Sequence, residues 1–217
     1  MTAEEFVRHY PYLYHMAEAN TWDSICRHGL LSTTALLDLF EIRGPKRMKI
    51  ESCRRPDSIE ILHPEHGAAI IRDQKPLSEK KLTSCLVGMT PTEWYELLNR
   101  KVFFWPTEER IQGLLTARAY RGSPHTVITV DSKLLLESAF DRTFLSPINS
   151  GAVIYRPTPR GRFTFCSITN WPDDLKRSGI PKKPVSEVSV DYSIPDIIDI
   201  TIHVEERQGD RIVRTIF

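Results

Sequence analysis

The chain has 217 residues, 41% of them hydrophobic and 26% charged, with a formal net charge of +1. That balance suits one large folded domain or two small ones and excludes a global attraction to nucleic acid or anionic membrane, so any such partner needs a local patch. Cys26, Cys53, Cys85 and Cys166 lie far apart with no CxxC pair, which argues against a zinc ribbon or a disulfide framework and leaves reduced thiols in the cytoplasm as the expectation.

The first residues carry acid where a secretory leader carries base, and no run approaches eighteen apolar residues, so neither a leader nor a membrane span is expected. Residues 1 to 10 read as a short helix with Phe6, Val7 and Tyr10 inward. Tyr12 to Met16 reads as a strand in which Leu13 and His15 share one face while Tyr12, Tyr14 and Met16 share the other. His15 falls at the strand end, where it can face a cleft or be satisfied by a carbonyl in the core. Asn20 or Thr21 then caps a helix with Trp22, Ile25 and Cys26 on one stripe, and Gly29 suits its C-terminal cap. A Leu-rich helix over Thr33 to Ile42 is broken by Arg43-Gly-Pro.

Six basic residues, Arg43, Lys46, Arg47, Lys49, Arg54 and Arg55, crowd the stretch 43–55. They form either a patch for phosphates or a solvated face. A strand over Ser58 to Leu62 precedes His63 and His66, whose spacing from Cys53 or Cys85 matches no firm metal-ligand pattern; surface histidines are expected. Arg72 ends the apolar run Ala68 to Ile71, a position that suits either a phosphate or an ion pair with Asp73.

Thr90-Pro-Thr-Glu93 carries a capping box and a proline at the first helical position. The helix it starts leads to an aromatic strand, Lys101 to Trp105, which reads as plain core or as a stacking platform. A helix from Thr107 and a strand over Thr126 to Val130 follow. Strands are expected over Ala152 to Tyr155 and Phe163 to Ile168, with Arg160 and Arg162 on an exposed basic turn between them. Pro184 to Val190 reads as a strand whose Glu187, flanked by Val185 and Val188, is either a catalytic acid or an edge acid in solvent. Two alternating runs around Gly209-Asp210 form a closing hairpin.

Three stretches, Tyr14-His15 with the helix ending in His28-Gly-Leu-Leu-Ser32, the strand Phe103-Phe104-Trp105, and the strand holding Glu187, resemble in their order the ADP-ribosyltransferase fold. More specifically they resemble its DarT-type bacterial branch, over roughly residues 10 to 205. The resemblance implies an α+β fold in a single domain over 1–217, with a split, mostly antiparallel sheet flanked by helices. It also implies NAD as co-substrate, with no metal. In such enzymes the histidine, here His15 with Tyr14 beside it, holds the adenosine-side ribose, and an arginine, here Arg72, steadies phosphate. An aromatic residue, usually tyrosine and here Phe104 or Trp105, covers nicotinamide, and Glu187 is the catalytic carboxylate. The implied acceptor is a macromolecule, with DNA or RNA held by 43–55 and 160–162. A toxin or phage-defence role with an antitoxin partner follows by analogy. A binding module on the same fold, or an NAD hydrolase, is the alternative. No dinucleotide glycine fingerprint, phosphate loop, HExxH or GxSxG competes.

Overall fold

Runs in which every second residue is apolar and short amphipathic stripes ended by Gly or Pro generate the elements of the computed structural model, which describes residues 1–153, 157–173 and 184–217. The first half of the chain forms α1 (Ala3–His9), β1 (Tyr12–Glu18), α2 (Trp22–His28), β2 (Leu30–Leu31), α3 (Thr33–Leu39) and α4 (Gly44–Glu51). There follow β3 (Ile59–His63), β4 (Gly67–Ile71), α5 (Glu79–Thr83), α6 (Pro91–Asn99) and β5 (Lys101–Phe104). The second half forms α7 (Glu108–Leu115), β6 (His125–Asp131), α8 (Ser132–Ala139), β7 (Thr143–Ser146), β8 (Cys166–Ser167) and β9 (Glu187–Asp191). It closes with β10 (Ser193–Ile194), a helical turn at Ile197–Ile200, β11 (Thr201–Gln208) and β12 (Arg211–Thr215).

The architecture is α+β. Two four-stranded antiparallel sheets, ordered β1-β6-β11-β12 and β5-β9-β7-β8, are joined where Tyr14 and Trp105 exchange backbone hydrogen bonds of 3.0 and 2.8 Å. Two small ribbons, β2 with β10 and β3 with β4, complete the pairing. The main core lies between the sheets and includes Leu13, Val102, Phe104, Ile128, Val130, Val188 and Val190. Each such side chain contributes about 1.5–3 kcal/mol by leaving water.

Alternation fixes which side chains reach that core. On β9, Val188 and Val190 are buried in it, so Glu187, Ser189 and Asp191 take the other face. On β5, Val102 and Phe104 point inward, so Lys101 and Phe103 share the face with Glu187. Helix α6 covers part of the second sheet. Its capping box is formed, with Glu93 N–H donating to Thr90 Oγ1 at 3.3 Å and Thr90 N–H to Glu93 Oε2 at 2.7 Å. Trp94, Tyr95 and Leu98 of this helix pack with Leu77 and Leu82.

Some element boundaries differ from the sequence expectation. The helix expected to reach Ile42 ends at Leu39, and Gly44-Pro45 starts a new helix instead of a loop, because a proline is accommodated in a first helical turn. The strand expected over Phe163 to Ile168 is a 3-10 turn, Arg162–Thr164, and the two-residue β8. Of the strand expected over Ala152 to Tyr155, residues 154–155 lie outside the described residues, and Ala152 and Val153 are irregular.

Gly29 terminates α2 with φ +82, and a Cβ there would lie 2.7 Å from Pro195 Cα and 2.9 Å from Ile194 O. The glycine therefore permits the close approach of β2 to β10. Gly29→Ala is expected to lower unfolding free energy by clearly more than the ~1 kcal/mol of an ordinary left-handed cap, since backbone must also shift. Urea unfolding measures it, and a loss within ~0.5 kcal/mol contradicts the argument.

Candidate functional site

Where β1, β5 and β9 meet α2 and β4, a cleft of about 270 Å³ opens, lined among others by His15, Arg72, Trp105 and Glu187. Four of the six side chains expected at a site thus line one cavity although they are up to 172 positions apart, from residue 15 to residue 187.

His15 is half-buried, and its Nδ1 lies 2.8 Å from Phe103 O. A carbonyl only accepts, so Nδ1 carries the proton and Nε2 is left as an acceptor in the neutral ring. Burial, helped by the positive charge of Arg72 and opposed by the Phe103 bond, lowers its pKa to about 4, so the ring is neutral at pH 7.

Arg72 follows β4. Its Nη1 donates to Met16 O at 2.9 Å, its Nε lies 3.6 Å from Glu18 Oε1, and its guanidinium sits 5.1 Å from the Tyr120 ring centroid. Nε is buried with no hydrogen-bond partner. The ion pair is with Glu18 and not with Asp73, which accepts from the Tyr120 hydroxyl at 3.0 Å.

Glu187 opens β9, which lies between β5 and β7; it is only 3% exposed and is not an edge acid. Ser150 Oγ donates to its Oε1 at 2.5 Å. Burial raises the carboxyl to about 7, although the Ser150 hydrogen bonds and the charges of Arg160 and Lys101 pull it down. The group is poised to change charge near neutrality.

Two expected contacts are corrected. Phe104 is fully buried between the sheets and does not line the cleft, because alternation along β5 sends Phe103 and Trp105 there instead. Tyr14 lies on the face of β1 opposite His15, packs with Trp105 and Ile111, and does not line the cleft either. Of the aromatic strand, Phe103 and Trp105 therefore face the site, which Tyr120 also lines.

The basic turn is corrected as well. Arg160 is 2% exposed, and its Nη1 donates to Ser150 O at 3.0 Å and Ala152 O at 3.1 Å, fixing the loop that supplies Ser150. Only Arg162 of that pair is exposed. In the stretch 43–55, Arg47 pairs with Asp38 at 2.5 Å and Glu51 at 2.7 Å. Arg55 is 4% exposed and binds Ile50 O, Asn99 Oδ1 and Arg72 O. Arg43, Lys46 and Lys49 remain exposed.

Sequence reasoning missed Lys101, Phe103 and Ser150, all of which line the cleft, and Arg55, named in the basic stretch 43–55, lines it too. A usable signal existed for Lys101, a charged residue opening an aromatic strand. Ser150 carried none. His63 and His66 stack at 4.5 Å beside Phe40, with His28 at 5.3 Å from His66. Among the described residues, no group of three or more His, Cys, Asp or Glu is arranged to hold a metal ion, and no helix is long and apolar enough to cross a membrane.

Fold and cleft together define an α+β protein with a part-buried, charged cavity built on the junction of two antiparallel sheets. Residues 11–201 match DUF7002, described as a family of unknown function, and the chain belongs to that family. No curated protein matches it.

The two shifted groups act oppositely on stability. Glu187, raised from 4.5 to about 7, adds stability that is complete below pH 4.5 and lost as pH rises to 7. His15, lowered from 6.5 to about 4, adds stability that is present above pH 6.5 and lost as pH falls to 4. Glu187→Gln is therefore expected to gain stability relative to wild type as pH rises from 4.5 to 7, by up to ~3 kcal/mol at ~1.4 kcal/mol per pH unit. Urea unfolding at several pH values tests this; a difference independent of pH contradicts the assignment.

Proposed function

We propose that the protein transfers ADP-ribose from NAD to a macromolecular acceptor, with nucleic acid the favoured class, and that Glu187 is the catalytic carboxylate. The observation that carries this reading is the convergence of His15, Arg72, Trp105 and a buried Glu187 on one cleft. The resemblance to the DarT-type enzymes supplies the reaction.

Each group has a chemistry suited to its role. His15 Nε2, kept as an acceptor by the Phe103 bond, accepts from a ribose hydroxyl. Arg72, whose guanidinium borders the cleft, meets a phosphate oxygen. Trp105 or Phe103 lies against nicotinamide, in place of the tyrosine usual in the family. A cavity near the lower end of small-molecule sites, ~300 Å³, encloses part of the dinucleotide and leaves the rest along the open side.

The bond from ribose C1′ to the pyridinium nitrogen breaks with its electron pair going to nicotinamide, which leaves neutral. Positive charge spreads over C1′ and the ring oxygen. The ionised Glu187, hydrogen-bonded to a ribose hydroxyl, stabilises that charge, as carboxylates do in glycoside hydrolysis. The acceptor forms the new bond to C1′ and gives up its proton. The positive pyridinium ring itself favours the ionised form of a carboxyl balanced near pH 7. Exposed Arg43, Lys46, Lys49 and Arg162 offer phosphates of the acceptor a salt-sensitive surface.

Incubation with NAD labelled in its adenylate, together with DNA, RNA and protein, tests the reading. Label is expected on nucleic acid, with a fall of ~100-fold or more in Glu187→Ala and a raised KM for NAD in His15→Ala. Free ADP-ribose without a labelled macromolecule identifies an NAD hydrolase. NAD bound but unconsumed identifies a binding module, and absence of both binding and turnover defeats the proposal.

A further inference from the structure

The cleft-side face of β9 reads Glu187, Ser189, Asp191, and in register with Asp191 on the neighbouring strand stands Lys101. Its ammonium lies 2.5 Å from Asp191 Oδ1 and over the rings of Phe144 and Phe165, at 4.2 and 4.7 Å from their centroids. Between the pair and Glu187, Ser189 Oγ is buried with no hydrogen-bond partner. Lys101 and Glu187 both line the cleft.

The pair is lopsided. The Lys101 side chain is 4% exposed and that of Asp191 43%. Water screens the carboxylate, while the ammonium acts through a low-dielectric interior toward Glu187, so its field there is only partly cancelled by its partner.

We propose that Lys101 is a positioning residue whose buried charge holds Glu187 in its ionised form, with Asp191 as the counterweight that limits the effect. This deepens the proposed reaction and rests on the reading of Glu187 as the reactive carboxylate. The other groups acting on Glu187 are the Ser150 hydroxyl and backbone and the Arg160 guanidinium; those acting on Lys101 besides Asp191 and Glu187 include Arg100. Arg160 is committed to the carbonyls of Ser150 and Ala152, so its removal also disturbs the loop, whereas Lys101 can lose its charge with that loop intact.

The test is direct titration of the Glu187 carboxyl by carbon NMR of the full chain labelled at glutamate side chains, the resonance being assigned by its loss in Glu187→Gln. Lys101→Met is expected to move the midpoint up, Asp191→Asn to move it down, and Lys101→Arg to leave it close to wild type. Asp191→Asn alters the water-exposed end of the pair and remains informative if Lys101→Met does not fold. Midpoints that stay put in Asp191→Asn, or that move the same way in Asp191→Asn and Lys101→Met, overturn the proposal. NAD consumption is followed in parallel: its absence in wild type defeats the proposed reaction while leaving the titration to judge Lys101. With activity present, the acid limb of kcat is expected to follow the carboxyl midpoint in each variant.

Discussion

Two backbone hydrogen bonds between Tyr14 and Trp105 hold the ends of β1 and β5 together, and the cleft exists because of them. They tie the edge strand of one sheet to the edge strand of the other. The same junction lets His15 reach Phe103 O across the seam, which sets its tautomer and its orientation toward the cavity. From β5 the geometry passes to β9, paired in register with Lys101 opposite Asp191 and Phe104 opposite Val188. One short contact between edge strands thus brings an imidazole from the start of the chain to the same cavity as a carboxyl from near its end.

The carboxyl is kept at a cost. Removing Glu187 from water disfavours its charge, and the surroundings offset this only in part, through Ser150, the loop that Arg160 fixes, and Lys101. A fully compensated acid would ionise well below neutrality and a solvated one would stay near its ordinary value. Partial compensation leaves the group able to respond to what arrives in the cleft.

Much of the frame was legible from local pattern. Alternation marked β1, β6 and β9, an aromatic run marked β5, the capping box marked α6, and Gly29 marked the end of α2, because each depends on neighbours in sequence. His15 and Arg72 were legible as polar residues at expected strand ends, although β1 runs on to Glu18 and leaves His15 within it; Trp105 was one of two aromatic candidates, and Glu187 stood inside an expected strand. The errors arose where tertiary contacts decide. Phe103 and Phe104 are adjacent and chemically identical, and only the location of the core says which one is left to the cavity. Arg55 and Arg160 looked like solvated charge because a run of basic residues usually is, yet each is buried by carbonyls drawn from distant or irregular backbone. Ser150 has no pattern of its own; its hydroxyl matters because Arg160 holds its loop against β9.

The insertion of β9 between β5 and β7 has a bearing on how the molecule comes into being. The middle strand of the second sheet is the last of its four to leave the ribosome, so β5 and β7 have no direct pairing to make until it arrives. A nascent chain that has emitted the imidazole, the guanidinium and the aromatic wall still lacks both the seam that closes its sheet and the acid of the cavity. Completion of the second sheet and arming of the cleft are therefore one event.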